Sequence, residues 1–378
     1  MITDTPAAAS KTTEAFSLDL GTRWQALRAA KPELRIRDAA AALGTTELEL
    51  LATTVGTTAR WLDHDGAALV HGLVDAGRCM ALTRNDSAVS EVRGRYGGVE
   101  LGPHAGQVVG DGIDLRVFMS HWRFALAVTE PDPRGGLSLR RSIHVFDGAG
   151  VAVHKVYLEA EGGDPAAWDA LVAARAAATA PTLELTPAVA PPTVPDDAVD
   201  VAALRSDWDA MTDTHEFFLL LRKHRVTRPQ ALRLAGPDRA RQVHGSSLGQ
   251  VLAEASETAL RLMLFIGNRG CLQVFSGTVA RIKRMGPWLN VLDPDFNLHL
   301  REDHLASSWW VDKPTAFGTV RSLELFDATG NTIAMVFAKR DDRRQVEDSA
   351  WAALLGRLPA LPALPALPPL PEATDGAR

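Results

Sequence analysis

The chain repeats itself at a separation of nearly half its length. Arg141-Ser142-Ile143-His144-Val145-Phe146-Asp147 returns as Arg321-Ser322-Leu323-Glu324-Leu325-Phe326-Asp327, an offset of 180 (321 − 141). Ile113-Asp114-Leu115 returns as Phe296-Asn297-Leu298 at 183, Trp168 as Trp351 at 183, and Trp24 as Trp208 at 184. Offsets that drift by only a few residues across each half indicate an internal duplication. The unit is far too long for a solenoid repeat, so the chain should fold as two similar domains.

Within each copy the apolar period changes once. In the first, helices are expected at Arg23–Lys31, Arg37–Leu43, after Thr45-Thr46, and over 65–76. Short strands then follow at Cys79–Thr83, Ile113–Met119, Phe124–Thr129, Leu137–Phe146 and Val151–Leu158, and a helix over Pro165–Ala178 closes the copy. The second copy has helices to about residue 258, then strands, then a helix at Asp348–Leu355. This order implies an α+β fold made of two antiparallel-sheet-plus-helices domains in a pseudo-twofold arrangement. The expected divisions are a flexible leader (1–18), an N-terminal repeat (19–178), a Pro-rich linker (179–199), a C-terminal repeat (200–357) and a Pro-rich disordered tail (358–378). Proline at the density of the Leu-Pro-Ala tail argues against helix and sheet ladders there.

Composition excludes several classes. A net charge of −6 offers no general attraction to nucleic acid or anionic membrane, and no run approaches the ~18 apolar residues of a membrane span. The two cysteines, Cys79 and Cys271, make neither a disulfide framework nor a zinc set, and fit a reducing cytoplasm. Gly267-Asn268-Arg269-Gly270 reads as a hairpin turn between two apolar strands and not as a phosphate cradle. Gly245-Ser246-Ser247-Leu248-Gly249 has the letters of a nucleophile elbow without the apolar strand before it, and reads as a serine-capped helix start. Residues 22–52, with Arg23, Arg28, Lys31, Arg35 and Arg37, could be taken for a DNA-binding helix-turn-helix, but the acidic chain offers no wider basic footprint.

Differences between the copies point to a site. His215 stands where the first copy has Lys31 (215 − 184), and Arg116 stands where the second has His299 (299 − 183). One half thus offers a lone-pair donor and the other a cation, which suggests one composite site. Asp213 is a good N-cap and Glu216 could complete a capping box, placing His215 in a first helical turn where positive potential disfavours imidazolium. His215, Phe218 and Leu219 have the spacing of one helix face. Alternation puts Arg116 and Phe118 together on one face of their strand. Each residue also has an ordinary reading, His215 as a helix-start histidine and Arg116 as a strand arginine paired with Asp114.

Longer motifs decide between these. Trp208-Asp-Ala-Met-Thr-Asp-Thr-His215-Glu-Phe-Phe, Leu221-Arg-Lys-His224 with Arg228, Gly267-Asn-Arg-Gly-Cys271, Gly286-Pro-Trp-Leu-Asn290, Phe296-Asn-Leu-His299-Leu, Lys313-Pro-Thr315 and Ser322-Leu-Glu-Leu-Phe326 resemble the bacterial hemin-degrading, or cytoplasmic hemin-transport, factor family. Arg35-Ile-Arg-Asp38, Arg84-Asn85, Asp114-Leu-Arg116-Val-Phe118 and Trp122 fit it too, so the resemblance spans about residues 20–357.

The resemblance implies a cytoplasmic protein of iron acquisition that binds haem b (iron protoporphyrin IX) between the second half's sheet and helices of both halves. His215 would be the axial iron ligand, with Arg116 on the opposite haem face as a distal group. Arg228 and Lys313 would hold propionates, Phe118 and Phe265 would touch the macrocycle, and Arg340 would remain near the pocket. The chain departs from the family pattern at Ser90, where several members carry a histidine linked to a second haem site. It also has Met335 and Phe337 where some have Gln and Tyr. Oxidative haem degradation with an external electron donor is the expected activity, since no flavin or nicotinamide motif occurs. A non-catalytic carrier delivering haem to a haem oxygenase, or receiving it from an importer, is the alternative. A haem-responsive DNA-binding regulator is a third.

Overall fold

The computed structural model describes residues 7–63, 65–102, 105–132, 138–189, 192–342 and 349–361, with side chains from residue 19. The first copy contributes α1 (Ala7–Ala30), α2 (Ile36–Leu43), α3 (Glu47–Ala52), β1 (Ala59–Leu62), α4 (Gly66–Gly72), β2 (Gly77–Arg84), β3 (Ala88–Arg95), β4 (Val99–Leu101), β5 (Gly106–Val109), β6 (Asp114–Val117), β7 (Phe124–Pro131), β8 (Leu139–Phe146), β9 (Ala152–Gly163) and α5 (Pro165–Ala174). The second contributes α6 (Val201–Asp209), α7 (Glu216–His224), α8 (Arg228–Ala235), β10 (Ala240–Val243), α9 (Ser247–Thr258), β11 (Leu262–Gly267), β12 (Cys271–Gly277), β13 (Ile282–Met285), β14 (Trp288–Leu292), β15 (Phe296–Arg301), β16 (Ser307–Thr315), β17 (Gly318–Phe326), β18 (Thr332–Ala338) and α10 (Ser349–Gly356).

Local chemistry accounts for many of these ends. Thr46 and Glu49 form a full capping box at α3, and Gly44, at φ 68°, ends α2 in a conformation that disfavours side chains. Asp164 caps α5, with Pro165 in its first turn. The Gly267–Gly270 segment is the expected β11–β12 turn.

The α+β class and the duplication hold, but the copies are interlaced. Two nine-stranded antiparallel sheets run β1-β7-β8-β9-β2-β3-β15-β14-β13 and β10-β16-β17-β18-β11-β12-β6-β5-β4. Each sheet takes six strands from one copy and three from the other. The joins are β3 to β15, with Ser90 opposite Leu298, and β12 to β6, with Leu272 opposite Arg116. Buried apolar side chains from both copies fill the layer between the sheets; Leu264, Leu323 and Val336 pack with Leu289, Phe296 and Leu298. Gln273 donates to Ser90 Oγ there (3.1 Å), joining two residues that are repeat mates (273 − 90 = 183).

The two turn asparagines are also repeat mates (268 − 85 = 183). The Asn85 side-chain oxygen accepts from the Ser87 and Ala88 amides, and its Nδ2 donates to Ile333 O (2.9 Å) and Gly267 O (3.2 Å). Asn268 accepts from the Gly270 and Cys271 amides, and its Nδ2 donates to Val153 O and Arg84 O, both at 2.8 Å. Each asparagine shapes its own turn and pins it to the other copy.

Three expectations need correction. The leader is not separate from the first helix, because α1 already begins at Ala7. Ser246 stands at the start of α9 but makes no side-chain cap; its hydroxyl is 2.8 Å from His244 Nδ1 instead. The tail begins as an ordered edge: Leu358 is buried, Ala360 bridges Val243, Pro359 O accepts from the His244 amide and the Leu361 amide donates to Gln242 O (3.0 Å). Proline lacks a donor, but the residues between prolines keep theirs. The rest of the tail lies outside the described residues.

Candidate functional site

Alternation and register place the expected site residues on one face of the second sheet. Arg116 lies opposite Leu272, Phe265 opposite Met335, Met335 opposite Glu324, and Glu324 opposite Trp309. Directly paired residues project to the same side, so Arg116, Phe265, Met335, Phe337, Glu324 and Lys313 share a face. The same face packs α6–α8, through a cluster of Trp208, Phe217, Leu232, Trp309 and Val311. Phe265 and Phe337 meet edge-to-face at 5.1 Å and are half-buried, an apolar floor beside the helices.

α7 is the wall. Phe217 is its anchor, fully buried against Trp208 in a T-shaped contact at 4.9 Å. The opposite side of the helix carries the expected stripe, and it is bare: Phe218 is 61% exposed, Leu219 60%, and the His215 side chain 76%. An imidazole beside two exposed large apolar side chains is a surface that calls for a covering partner.

The cap differs from its expected form. His215 occupies the N-cap position and Glu216 opens the helix, with its carboxylate accepting from the Thr212 amide (2.9 Å) and hydroxyl (3.0 Å). Asp213 turns to His215 itself, accepting from its backbone amide (2.9 Å) and lying 2.5 Å from Nδ1. With Nδ1–H directed at a carboxylate, the lone pair of the ring sits on Nε2. Thr212 O accepts from the Ala316 amide (2.8 Å), which ties this turn to the β16–β17 hairpin.

Arg116 reaches the second sheet through the strand exchange. Its guanidinium is paired with Asp114 and donates to Leu115 O (3.1 Å), and its side chain is 37% exposed. A shallow depression lined by Glu100, Leu101, Gln107 and Arg116 borders it. Phe118 follows β6, with its amide donating to Gly270 O (3.0 Å). Arg340 lies two residues beyond β18.

Arg228 and Lys313 are brought together, but around an acid. Arg228 makes a bidentate pair with Glu324 (2.6 and 2.8 Å), and the Lys313 ammonium pairs with the same carboxylate. Both cations also lie over the Phe217 ring, at 4.9 and 4.8 Å. Glu324 is 0% exposed. Burial works to raise its pKa, yet Arg228 and Lys313 override that and hold the carboxyl well below the usual range. Burial pushes Lys313 down to about 8, against the pull of Glu324. Arg228 and Lys313 thus share one carboxylate, which leaves the cluster a net positive charge. A carboxylate at position 324 is visible in the sequence, but its inward register is not.

Ser90 is buried between the sheets and faces away from the helix-covered side of its own sheet. His299, the repeat mate of Arg116, occupies β15 in the first sheet, with Nδ1 2.7 Å from Asn290 Oδ1.

A haem fits the donor set on this face: one imidazole lone pair, exposed aromatic and aliphatic flanks, and an arginine arriving from the other copy. Among the described residues no group of three or more His, Cys, Asp or Glu could hold a bare metal ion, and no helix is long and apolar enough to cross a membrane.

Known proteins match the chain closely. A family model described as a haemin-degrading HemS.ChuX domain matches residues 44–174 and again 225–358, one match in each copy. The hemin transport protein HmuS of Yersinia pestis is 40% identical over 332 residues, covering 88% of this chain and 94% of that one. The hemin transport protein HemS of Yersinia enterocolitica is 41% identical over 336 residues, with the same coverage. Among solved structures, holo-PhuS, a heme-binding protein from Pseudomonas aeruginosa, superposes with a TM-score of 0.86 at 42% identity, over 91% of this chain and 99% of that one. ChuS, an E. coli heme oxygenase, superposes at 0.81 with 35% identity, over 90% and 99%.

Proposed function

The chain belongs to the haemin-degrading HemS.ChuX domain family, and on that premise we propose that it handles haem in bacterial haem uptake. It takes haem on the α7 face in the cytoplasm and degrades it with electrons from an external donor. The observation that carries this reading is the exposed His215 imidazole, held by Asp213 and flanked by Phe218 and Leu219. Two buried free cysteines are in keeping with a reducing compartment.

The roles divide by chemistry. His215 Nε2 would supply a lone pair to the haem iron, and Arg116 would supply hydrogen-bond donors from the other copy. Phe118, Phe265 and Phe337 would line the apolar slot, and Arg340, two residues beyond β18, would meet a propionate. Arg228 and Lys313 hold up the wall through Glu324 and Phe217. Bound haem supplies the redox-active iron on which ring oxygenation depends. Arg116, fixed by Asp114, is placed to favour negative charge developing on a small ligand. A carrier that passes haem to an oxygenase is the second reading, favoured by the apolar Met335 and Phe337 and by the engagement of Arg228 and Lys313 with Glu324.

Haemin added anaerobically to the apo-protein should give a six-coordinate ferric spectrum, and His215→Ala should weaken binding and change that spectrum. Unchanged spectrum and affinity in the variant would remove His215 from the site. With a reductant under air, loss of the Soret band with release of iron supports degradation, whereas a persistent band supports the carrier.

A further inference from the structure

We propose that Asp213 is a positioning residue that sets the electron donation of the axial histidine, and so biases the bound iron toward its ferric state. The inference rests on His215 being the ligand, and concerns what stands behind it.

Asp213 was expected to cap the helix. Its carboxylate engages His215 twice, through the backbone amide at 2.9 Å and through Nδ1 at 2.5 Å. The first amides of α7 are met by backbone carbonyls instead: Glu216 donates to Asp213 O (3.1 Å), Phe217 to Thr214 O and Phe218 to His215 O (both 3.3 Å). Asp213 thus shapes the turn before α7 and at the same time holds the ring. The turn that carries it is braced, through Thr212 O to the Ala316 amide on the β16–β17 hairpin. Two contacts from one carboxylate also fix the rotation of the imidazole, so that Nε2 points away from Asp213.

Both partners are open to water, His215 at 76% and Asp213 at 44% side-chain exposure, where such a bond is weak. A flat apolar ligand resting on Phe218 and Leu219 would exclude that water and lower the local dielectric, which strengthens the pairing. A carboxylate accepting Nδ1–H gives the ring imidazolate character and raises the basicity of Nε2. A stronger donor stabilises the higher charge on iron. The proton stays shared between Asp213 and Nδ1, and no bond to either heavy atom is broken.

Asp213→Asn keeps an acceptor oxygen at nearly the same place and removes the charge; Asp213→Ala removes both. Haemin-loaded Asp213→Asn should show a higher iron midpoint potential than the unaltered protein and a lower iron–histidine stretching frequency in the ferrous Raman spectrum. Asp213→Ala should also lose about 10- to 100-fold in ferric haemin affinity, the usual penalty for an outer partner of a metal ligand. Far-ultraviolet circular dichroism of both apo-variants should match the parent, since the first amides of α7 donate to backbone carbonyls. Unchanged potential and stretching frequency in both variants, with His215→Ala still disrupting the spectrum, overturns this inference and leaves the ligand assignment standing. If His215→Ala itself changes nothing, the assignment beneath it is what fails.

Discussion

At the scale of single residues, the second half's buried acid decides more than its cations do. Glu324 sits among Arg228, Lys313 and Ser322, with the Phe217 ring below both cations. Glu324→Gln would leave the buried Lys313 ammonium facing the partly buried Arg228 guanidinium without a counter-charge, and should lower stability by about 3–5 kcal/mol in urea unfolding. The same group sets an acid limit. Its folded pKa is depressed below the ordinary value of 4.5, so the unfolded chain binds the proton first as pH falls. The stabilisation is whole above that value and is lost as pH drops through the folded one; the Gln variant should show a correspondingly flatter acid slope. Part of this neighbourhood could be read in the sequence, since Arg116, Phe265 and Lys313 share the sheet face on which α7 packs. What could not be read was pairing. Asp213 suits an N-cap, and only three-dimensional placement shows that its carboxylate also turns to the histidine ring. Arg228 and Lys313 look like free cations until register brings Glu324 between them.

At the scale of elements, the helices and the strands of regular alternation were legible, and several short strands were not. β3 was missed because its inward positions include Ser90, and β4 and β5 because they are short and bordered by glycine. Such strands are held by their neighbours more than by their own pattern. The β2–β3 and β11–β12 turns illustrate the point, because Asn85 and Asn268 each make bonds to both copies. Asn268→Ala should cost about 1–3 kcal/mol by leaving the Arg84 and Val153 carbonyls without their donor. Combined with Asn85→Ala, the loss should be non-additive, since both bind the same junction. Thermal or urea denaturation of the two single variants and the double one measures this; strict additivity would mean that the turns act independently.

At the scale of the whole molecule, the duplication was plain in the sequence but the interlacing was not. Internal similarity reports that two copies exist and says nothing about which strands pair, a long-range property. Because each sheet borrows three strands, neither 1–178 nor 200–378 alone should give a compact, cooperatively melting species, whereas the two fragments mixed should recover it. Gel filtration and thermal melts of the fragments, separate and together, test this; a separate half that melts cooperatively would contradict it. The interlacing also bears on how the two copies came to differ. In an assembly of two identical chains sharing strands this way, any substitution would appear in both cradles at once. Joined in one chain, the cradles vary independently: His215 faces one while Lys31 stands in the other, and Glu324 sits where its mate is His144. Fusion thus let one cradle specialise without altering its twin, even though the two sheets still complete each other.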